Sequence, residues 1–190
     1  MLGTLYCLCG KSASGKTTIA KLLEERYGHK QIYSYTTRPP RHEGEIGHTF
    51  ISEEIFDNLK DIIAHTVYNG YKYCTTKEQL DMASIYVVDP YGVETLLENY
   101  QTDRKIVVLY FDSSVKTRID RMTDRHDSDS AIIKRLYYDE AFDWYRQLDK
   151  LVWDCKNNKH RDVELYKINA NEDIENVLKQ VLYYIKDESE

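Results

Sequence analysis

Apolar runs alternate along the chain with segments whose apolar residues recur every three or four positions. The runs predict buried strands over residues 5–9, 31–35, 85–89, 105–112 and 163–168. The helical spacing predicts helices over residues 16–26, 53–63, 76–82, 92–100, 114–149 and 171–185, with a break in the fifth helix at 124–129. Strands that alternate with helices are typical of a parallel sheet with helices on both faces. The pattern therefore predicts an α/β fold.

Residues 34–80 depart from this alternation. Residues 48–52 have the pattern of a short strand, and residues 66–76 predict a strand pair that turns at Asn69-Gly70. An Asn-Gly pair favours a hairpin turn because both residues tolerate a positive φ. We expect this stretch to be an inserted, β-containing region that binds a substrate.

The first predicted strand runs directly into the pattern Gly10-x-x-x-x-Gly15-Lys16-Thr17. Glycines let successive N–H groups face a phosphate chain, and the helix that begins near Lys16 adds its positive end. In such a loop the lysine reaches the β- and γ-phosphates and the Thr17 hydroxyl binds Mg²⁺. The residues expected to bind phosphate are Gly10, Lys11, Ser12, Ala13, Ser14, Gly15, Lys16, Thr17 and Thr18. The alternative is a plain glycine turn, but the strand and helix on either side favour a phosphate-binding loop.

Two arginines, Arg38 and Arg41, lie three residues apart after the second predicted strand, beside Pro39 and Pro40. A guanidinium holds phosphate through two parallel hydrogen bonds, which a lysine ammonium does not offer. The alternative is a solvated basic turn. A phosphate-binding loop elsewhere in the chain favours a second phosphate site here, since phosphoryl transfer needs both phosphates in line.

A second arginine cluster lies in the long helical region. Arg118, Arg121 and Arg125 share one helical face, and Arg135 follows the predicted break. This arrangement indicates a lid that closes over phosphates. The alternative is a surface helix whose arginines form ion pairs, with Asp120, Asp124 and Asp139 as the partners.

Asp89 ends an apolar strand, at the edge of a parallel sheet where ligands bind in such folds. A carboxylate in this position is suited to binding Mg²⁺ or a water of its shell. The alternative is a turn residue that ends the strand before Pro90.

Composition narrows the class of protein. The chain has 190 residues and a formal net charge of −6, which suits one domain and, without a basic stretch, argues against a nucleic-acid partner. No apolar run approaches the roughly 20 residues of a membrane span, and because a predicted core strand lies at the start of the sequence we expect no leader. Four cysteines without metal-ligand spacing indicate reduced thiols and a cytoplasmic protein.

These motifs, in this order, resemble those of the guanylate kinases. The matching segments are Gly10–Thr17, Thr36-Thr37-Arg38-Pro39-Pro40-Arg41, Gly44-Glu45, Tyr73-Cys74-Thr75, Asp89-Pro90-Tyr91-Gly92, Arg121-Met122-Thr123-Asp124-Arg125 and Arg135-Leu136. The resemblance implies a P-loop kinase with a five-stranded parallel sheet, a β-rich monophosphate-binding insertion and a helical lid. It implies a single domain with a core of residues 1–33, 81–117 and 150–190, a monophosphate-binding region of residues 34–80 and a lid of residues 118–149.

The resemblance also implies an activity: Mg²⁺-dependent transfer of a phosphoryl group from ATP to a nucleoside monophosphate, in the first place GMP. By this resemblance Arg38, Arg41 and Tyr73 hold the phosphate of the monophosphate. Ser34, Thr75 and Asp89 lie near the guanine, and Thr17 and Asp89 bind Mg²⁺. Lys16, Arg121, Arg125 and Arg135 stabilise the transferred group, without a covalent intermediate. The expected partners are small nucleotides, with no nucleic acid or membrane, and the chain is a monomer or a homodimer.

Three positions depart from the family pattern. The family has a second phosphate-binding tyrosine soon after Gly-Glu, where this chain offers only His48. It also has a glutamate that reads the guanine amino group nine residues before the tyrosine of Tyr-Gly-Thr, but no carboxylate occurs from Ile62 to Lys72. Cys74 replaces the glycine of Tyr-Gly-Thr. The alternatives are a kinase of this fold with a different phosphorylated acceptor, and a non-catalytic binding module.

Overall fold

The computed structural model describes residues 3–41, 43–141, 144–157 and 163–185. The strands are β1 (Leu5–Cys9), β2 (Tyr35–Thr36), β3 (Thr49–Phe50), β4 (Ile62–Tyr68), β5 (Tyr71–Thr76), β6 (Ile85–Val87), β7 (Ile106–Asp112) and β8 (Val163–Asn169). The helices are α1 (Lys16–Tyr27), α2 (Glu53–Asp57), α3 (Lys77–Met82), α4 (Pro90–Asn99), α5 (Val115–Asp124), α6 (Asp129–Ala141), α7 (Trp144–Asn157) and α8 (Ile174–Tyr184).

A parallel sheet forms the core, in the order β6-β1-β7-β8. Strand β1 lies in the middle, with Leu8 opposite Val87 on one side and Leu109 on the other. Alternate residues of a strand point to opposite faces, and all five residues of β1 are buried, so helices must cover the sheet on both sides. Helices α1 and α8 pack on one face through Ile19, Leu23 and Val181, and α4 and α7 pack on the other. The predicted α/β class is confirmed.

The strand predicted over residues 31–35 is reduced to a single bridge, so the predicted sheet of five strands loses one of them. Gln31 pairs in parallel with Ile85 at the edge of the core sheet, and the chain then leaves that sheet. The carbonyl of Ser34 accepts the N–H of Thr49 at 3.0 Å, so the backbone that would extend the strand pairs instead with the second sheet. The core sheet of the described residues therefore has four full strands.

The second sheet contains the short strands of residues 35–76, in the order β3-β2-β5-β4. Strands β4 and β5 are antiparallel and meet at Asn69 and Gly70, whose φ values are 53° and 77°. The hairpin predicted from Asn69-Gly70 is confirmed. The sheet lies beside the carboxyl edge of the core sheet, and we call residues 34–80 the acceptor region.

The helix predicted over residues 53–63 is wrong in its second half. Helix α2 begins as expected, with the Ser52 hydroxyl accepting the N–H of Ile55 at 3.2 Å, but it ends at Asp57. Residues from Ile62 onward form β4 because they alternate between buried and exposed positions, as Ala64 and His65 do. A short apolar run fits either period, and pairing with β5 decides for the strand.

Among the described residues the long helical region contains the three helices α5, α6 and α7, and the predicted break after α5 is confirmed. The chain turns at His126, whose φ is 60°, before α6 begins. Helix α7 continues beyond the predicted end of the lid, and its Trp144 and Leu151 pack into the core cluster with α4. No helix in the described ranges is both long and apolar enough to cross a membrane.

Candidate active site

The loop between β1 and α1 has the backbone of a phosphate-binding loop. Gly10, Ala13 and Gly15 all have positive φ, at 153°, 59° and 101°. A side chain at Gly10 would place its Cβ 2.7 Å from the carbonyl oxygen of Phe111 on β7, so only glycine fits there. The loop leads directly into the amino end of α1, where an anion is favoured.

Lys16 spans this loop from within. Its Nζ donates to the carbonyls of Gly10 and Lys11 at 2.6 and 2.9 Å, and to the Ser14 hydroxyl at 3.3 Å. Desolvation lowers the pKa of Lys16 to about 8, although negative groups around it, Asp139 and Asp89 among them, act in the opposite direction. The ammonium is thus held by carbonyl oxygens at the position where a nucleotide phosphate would replace them.

A cavity of about 790 Å³ opens in front of the loop. Its walls come from the phosphate-binding loop, the carboxyl end of β6, the acceptor region, α5 and α6, and the turn before α8. The predicted site residues that line it are Gly10, Ser12, Ala13, Gly15, Lys16, Thr17, Thr18, Ser34, Arg41, Tyr73, Asp89, Arg121, Arg125 and Arg135. The predicted site residues outside the lining are Lys11, Ser14, Arg38 and Thr75. One cavity thus brings together residues from the whole length of the sequence.

Arg38 and Arg41 share one carboxylate, that of Glu45. Arg38 donates to both oxygens of Glu45 at 2.9 and 3.1 Å, and the backbone N–H of Arg41 donates at 2.6 Å. Burial opposes ionisation of Glu45, but these hydrogen bonds lower its pKa to about 2. The guanidinium of Arg38 also lies 5.2 Å from the centre of the Phe50 ring. Arg38 is thereby fixed behind the cavity, while Arg41 reaches its wall.

His48 stands next to these arginines on the cavity wall. Its Nδ1 lies 3.0 Å from the Ser34 hydroxyl, and its ring meets the Tyr73 ring edge-on at 5.5 Å between centroids. Desolvation and the positive charges of Arg38 and Arg41 lower the pKa of His48 to about 4. His48 is therefore a neutral hydrogen-bonding group at neutral pH and adds no charge to this wall.

Thr17 and Asp89 line the cavity on the phosphate side. Asp89 caps α4, its carboxylate accepting the N–H of Gly92 at 2.8 Å. Burial raises the pKa of Asp89, while the hydrogen bond from Gly92 acts in the opposite direction. Oxygen ligands from a hydroxyl and a carboxylate suit Mg²⁺. Thr75, expected near the guanine, does not reach the cavity, because it is fully buried and its hydroxyl donates to Gln79 at 2.9 Å.

The arginines of α5 and α6 face the cavity from the opposite wall. Arg121 donates to the Ser14 carbonyl of the loop at 3.0 Å and to the Glu172 carbonyl at 3.1 Å. Arg125 and Arg135 both pair with Asp127, in the turn between the two helices. The positive charges of Arg38 and Arg135 lower the pKa of Arg41, after a larger effect of desolvation. The arginines of the acceptor region and those of α5 and α6 therefore contribute positive charge to the same cavity.

Sequence reasoning missed one part of this wall. The alternative interpretation of α5 makes Asp139 a surface partner of its arginines, but Arg118 and Asp139 are only 1% exposed and pair at 2.5 Å. Asp139 also accepts the N–H of Ser12 from the phosphate-binding loop. The helical spacing of Arg118 and Arg121 carried a signal for a shared face, but nothing in the sequence connects that face to Ser12.

A parallel sheet with a glycine loop and Lys16 after its central strand defines a P-loop nucleotide-binding protein of the α/β class. No protein-family model matches the chain. It is 34% identical over 85 residues to the guanylate kinase of Fusobacterium nucleatum, over 42% of this chain and 46% of that protein. It is 28% identical over 186 residues to the guanylate kinase of Mycoplasma genitalium, over 88% of this chain and 74% of that protein. The match to the Fusobacterium nucleatum protein, which has the higher identity of the two, thus spans about half the length of that protein.

The solved guanylate kinase from Anaplasma phagocytophilum has the same fold, with a TM-score of 0.55, 19% identity, and coverage of 96% of this chain and 84% of that one. The chain is thus similar in sequence to guanylate kinases and shares the fold of one of them. The resemblance drawn from the motifs is confirmed.

Proposed function

We propose that the protein is a nucleoside monophosphate kinase that transfers the γ-phosphoryl group of ATP to GMP. The observation that carries the proposal is one cavity with two anion-binding walls. Lys16 and the loop line one part of the cavity, Arg41 and Tyr73 line a second part, and Arg121, Arg125 and Arg135 line a third. The guanylate kinases among the relatives support the choice of GMP.

The reaction needs positioning and charge rather than a covalent intermediate. An oxygen of the GMP phosphate forms a bond to the γ-phosphorus as the bond to the β-phosphate oxygen breaks, and ADP leaves. Lys16 and the arginines stabilise negative charge on the transferred group because they are preorganised around it. Glu45 contributes by holding the Arg38 guanidinium in one orientation.

Thr17 and Asp89 would hold Mg²⁺, Asp89 either directly or through a water. When bound, the ion neutralises charge on the nucleotide phosphates. The proposal includes a cytoplasmic location, which the free thiols of Cys7, Cys9 and Cys74 support, and a monomer or homodimer as the assembly.

Guanine recognition differs from the family pattern. The position nine residues before Tyr73 is Ala64, which is fully buried in the core and offers no acceptor. Ser34 and Asp89 are the predicted base-reading residues that line the cavity. A site that lacks an acceptor for the guanine amino group loses the discrimination of roughly 10⁴-fold that such a buried group can supply.

The test is kcat/KM for GMP, IMP, AMP, CMP and UMP, measured by ADP release under one set of conditions. We expect GMP to give the highest value and IMP, which lacks the amino group, to follow within roughly 10⁴-fold. A larger preference for GMP would require an acceptor elsewhere in the cavity. Absence of turnover with all five monophosphates would refute the proposed acceptor class.

A further inference from the structure

The carboxylate of Asp139 is buried at the junction of three parts of the chain. It accepts the N–H of Ser12 at 3.1 and 3.2 Å and the Ser12 hydroxyl at 3.1 Å. It also accepts the Tyr68 hydroxyl at 2.7 Å and the Arg118 guanidinium at 2.5 Å. Asp139 is 1% exposed, so these contacts are made out of water.

Each donor belongs to a different structural part. Ser12 is in the phosphate-binding loop, Tyr68 ends β4 in the acceptor region, and Arg118 is on α5 while Asp139 is on α6. We call the contacts among Ser12, Tyr68, Arg118 and Asp139 the latch. The latch is the place where the acceptor region and both arginine-bearing helices are hydrogen-bonded, through one side chain, to the loop that holds phosphate.

The latch lies beside the arginines that face the cavity. Arg121 follows Arg118 by three residues on α5, and Arg135 precedes Asp139 by four residues on α6. Residues three or four apart lie on the same face of a helix. The latch therefore fixes the faces that carry Arg121 and Arg135 with respect to the phosphate-binding loop.

A buried ion pair is a poor device for stability alone. Removing two charges from water offsets their attraction, and replacing such a pair by apolar residues is often neutral or stabilising. Arg118 Nε is buried without a partner among the described residues, so the pair leaves one donor unsatisfied. What the pair adds over an apolar contact is direction, since it aims a carboxylate at Ser12 and Tyr68.

We propose that Asp139 and Tyr68 are positioning residues, which latch the acceptor region and helices α5 and α6 to the phosphate-binding loop in the arrangement that transfers the phosphoryl group. The proposal rests on the proposed kinase function for its kinetic readout. It assigns to these residues an effect on the geometry of transfer rather than on the binding of either nucleotide. A misplacement of about 1 Å costs roughly 10²-fold in rate, so the effect is on kcat.

The first test is Tyr68→Phe, which removes one hydroxyl and keeps the ring. We expect kcat to fall about tenfold or more, KM for ATP and GMP to change less than about threefold, and the melting temperature to change little. The control is Tyr100→Phe, because the Tyr100 hydroxyl also donates to a carboxylate, that of Asp81 at 2.6 Å, away from the cavity. This control should keep the wild-type kcat.

The second test separates positioning from folding. Asp139→Ala leaves Arg118 buried without its partner and should lower the melting temperature strongly, as broken buried ion pairs do. Arg118→Leu together with Asp139→Ala removes both charges and should recover the melting temperature. We expect the double variant to keep a low kcat. Recovery of both the melting temperature and kcat would overturn the proposal, as would an unchanged kcat in Tyr68→Phe.

A readout without catalysis keeps the two proposals separate. Hydrogen–deuterium exchange of the free protein reports on the peptides that contain Ser12 and Tyr68. We expect faster exchange in both peptides for Tyr68→Phe and for the double variant, and no change for Tyr100→Phe. If the wild type transfers no phosphoryl group, the kinase function fails and exchange still decides the latch; unchanged exchange would then overturn it.

Discussion

Lys16 is the residue on which the proposed phosphate binding depends most directly. Its ammonium donates hydrogen bonds to three oxygen atoms of the loop instead of to water. It is therefore already held in place to meet an anion. The same confinement lowers its pKa to about 8, which is close enough to physiological pH to be measured. A bound phosphate favours the charged form, so nucleotide binding and protonation of Lys16 are linked.

This linkage predicts a pH dependence of ATP affinity. In the free protein Lys16 loses its charge as the pH rises through about 8, whereas bound ATP keeps it protonated to higher pH. The dissociation constant should therefore be flat below pH 7.5 and rise by up to about tenfold per pH unit above pH 8. Titration calorimetry from pH 7 to 9.5 measures it, and the Lys16→Arg variant should bind without this slope because arginine stays charged.

Arg41 lies on the other wall of the cavity, and Glu45 holds Arg38 behind that wall. We expect Arg41→Ala to raise KM for GMP by about 10- to 100-fold, since a charge-assisted hydrogen bond is worth roughly 1.5–3 kcal/mol. Arg38→Ala should raise the same KM by a smaller factor, because it removes a positive charge from behind the wall. ATP affinity should change little because neither side chain contacts the phosphate-binding loop. Arg26→Ala is the control, since one nitrogen of Arg26 also donates to both oxygens of a carboxylate, that of Glu175, at 2.9 and 3.0 Å. Lost ATP binding with an unchanged KM for GMP would place both arginines in the wrong half of the site.

Individual residues were predictable where local sequence determines the geometry. Lys16 and Thr17 follow from the loop pattern, because the glycines and the helix start set where they point. Asp139 was not predictable, since its role depends on Ser12, which is 127 residues away in sequence. Thr75, which the resemblance places near the guanine, lies outside the cavity lining because its hydroxyl turns to the amino end of α3, where Gln79 accepts it.

At the scale of elements, the path from β1 through the loop into α1 is the most constrained part of the chain. Gly10→Ala would push a methyl group against the Phe111 carbonyl at 2.7 Å and displace the loop. We expect ATP affinity to fall at least about tenfold, together with a loss of stability. Calorimetric binding at a temperature where the variant is still folded measures the effect.

Gly28→Ala is the control for this substitution. Gly28 ends α1 with a φ of 73°, and a Cβ there would meet no atom within 4 Å. The variant should lose about 1–2 kcal/mol of stability from the left-handed backbone alone and keep the wild-type ATP affinity. Equal effects of the two substitutions on affinity would mean that the tight contact at Gly10 does not shape the site.

The core strands and helices were predicted correctly because their apolar runs are long or strongly periodic. The errors fall where an edge or a short run leaves the sequence ambiguous. Residues 31–35 have strand composition, yet the backbone at Ser34 pairs with β3, so only Gln31 joins the core sheet. The pattern of residues 59–63 fits a helix, but Ile62 and the residues after it form a strand because they pair with β5.

At the scale of the whole molecule, two sheets and a pair of helices enclose one cavity from three sides. Each part supplies one type of group: the core sheet supplies the phosphate-binding loop, the acceptor region supplies Arg41 and Tyr73, and the helices supply Arg121 and Arg135. The latch connects these parts at Asp139. The arrangement suits the proposed reaction between two bound phosphates. The motifs lie far apart in the sequence because each comes from a different part of the fold.

The most direct measurement is product analysis of the full chain incubated with ATP, Mg²⁺ and GMP, followed by chromatographic separation of the nucleotides. We expect ADP and GDP to form in equal amounts, and Lys16→Ala, shown to be folded by circular dichroism, to be about 10³-fold slower or more. ADP and inorganic phosphate formed while GMP stays intact would contradict phosphoryl transfer to GMP. A Lys16→Ala rate close to that of the wild type would contradict the active site itself.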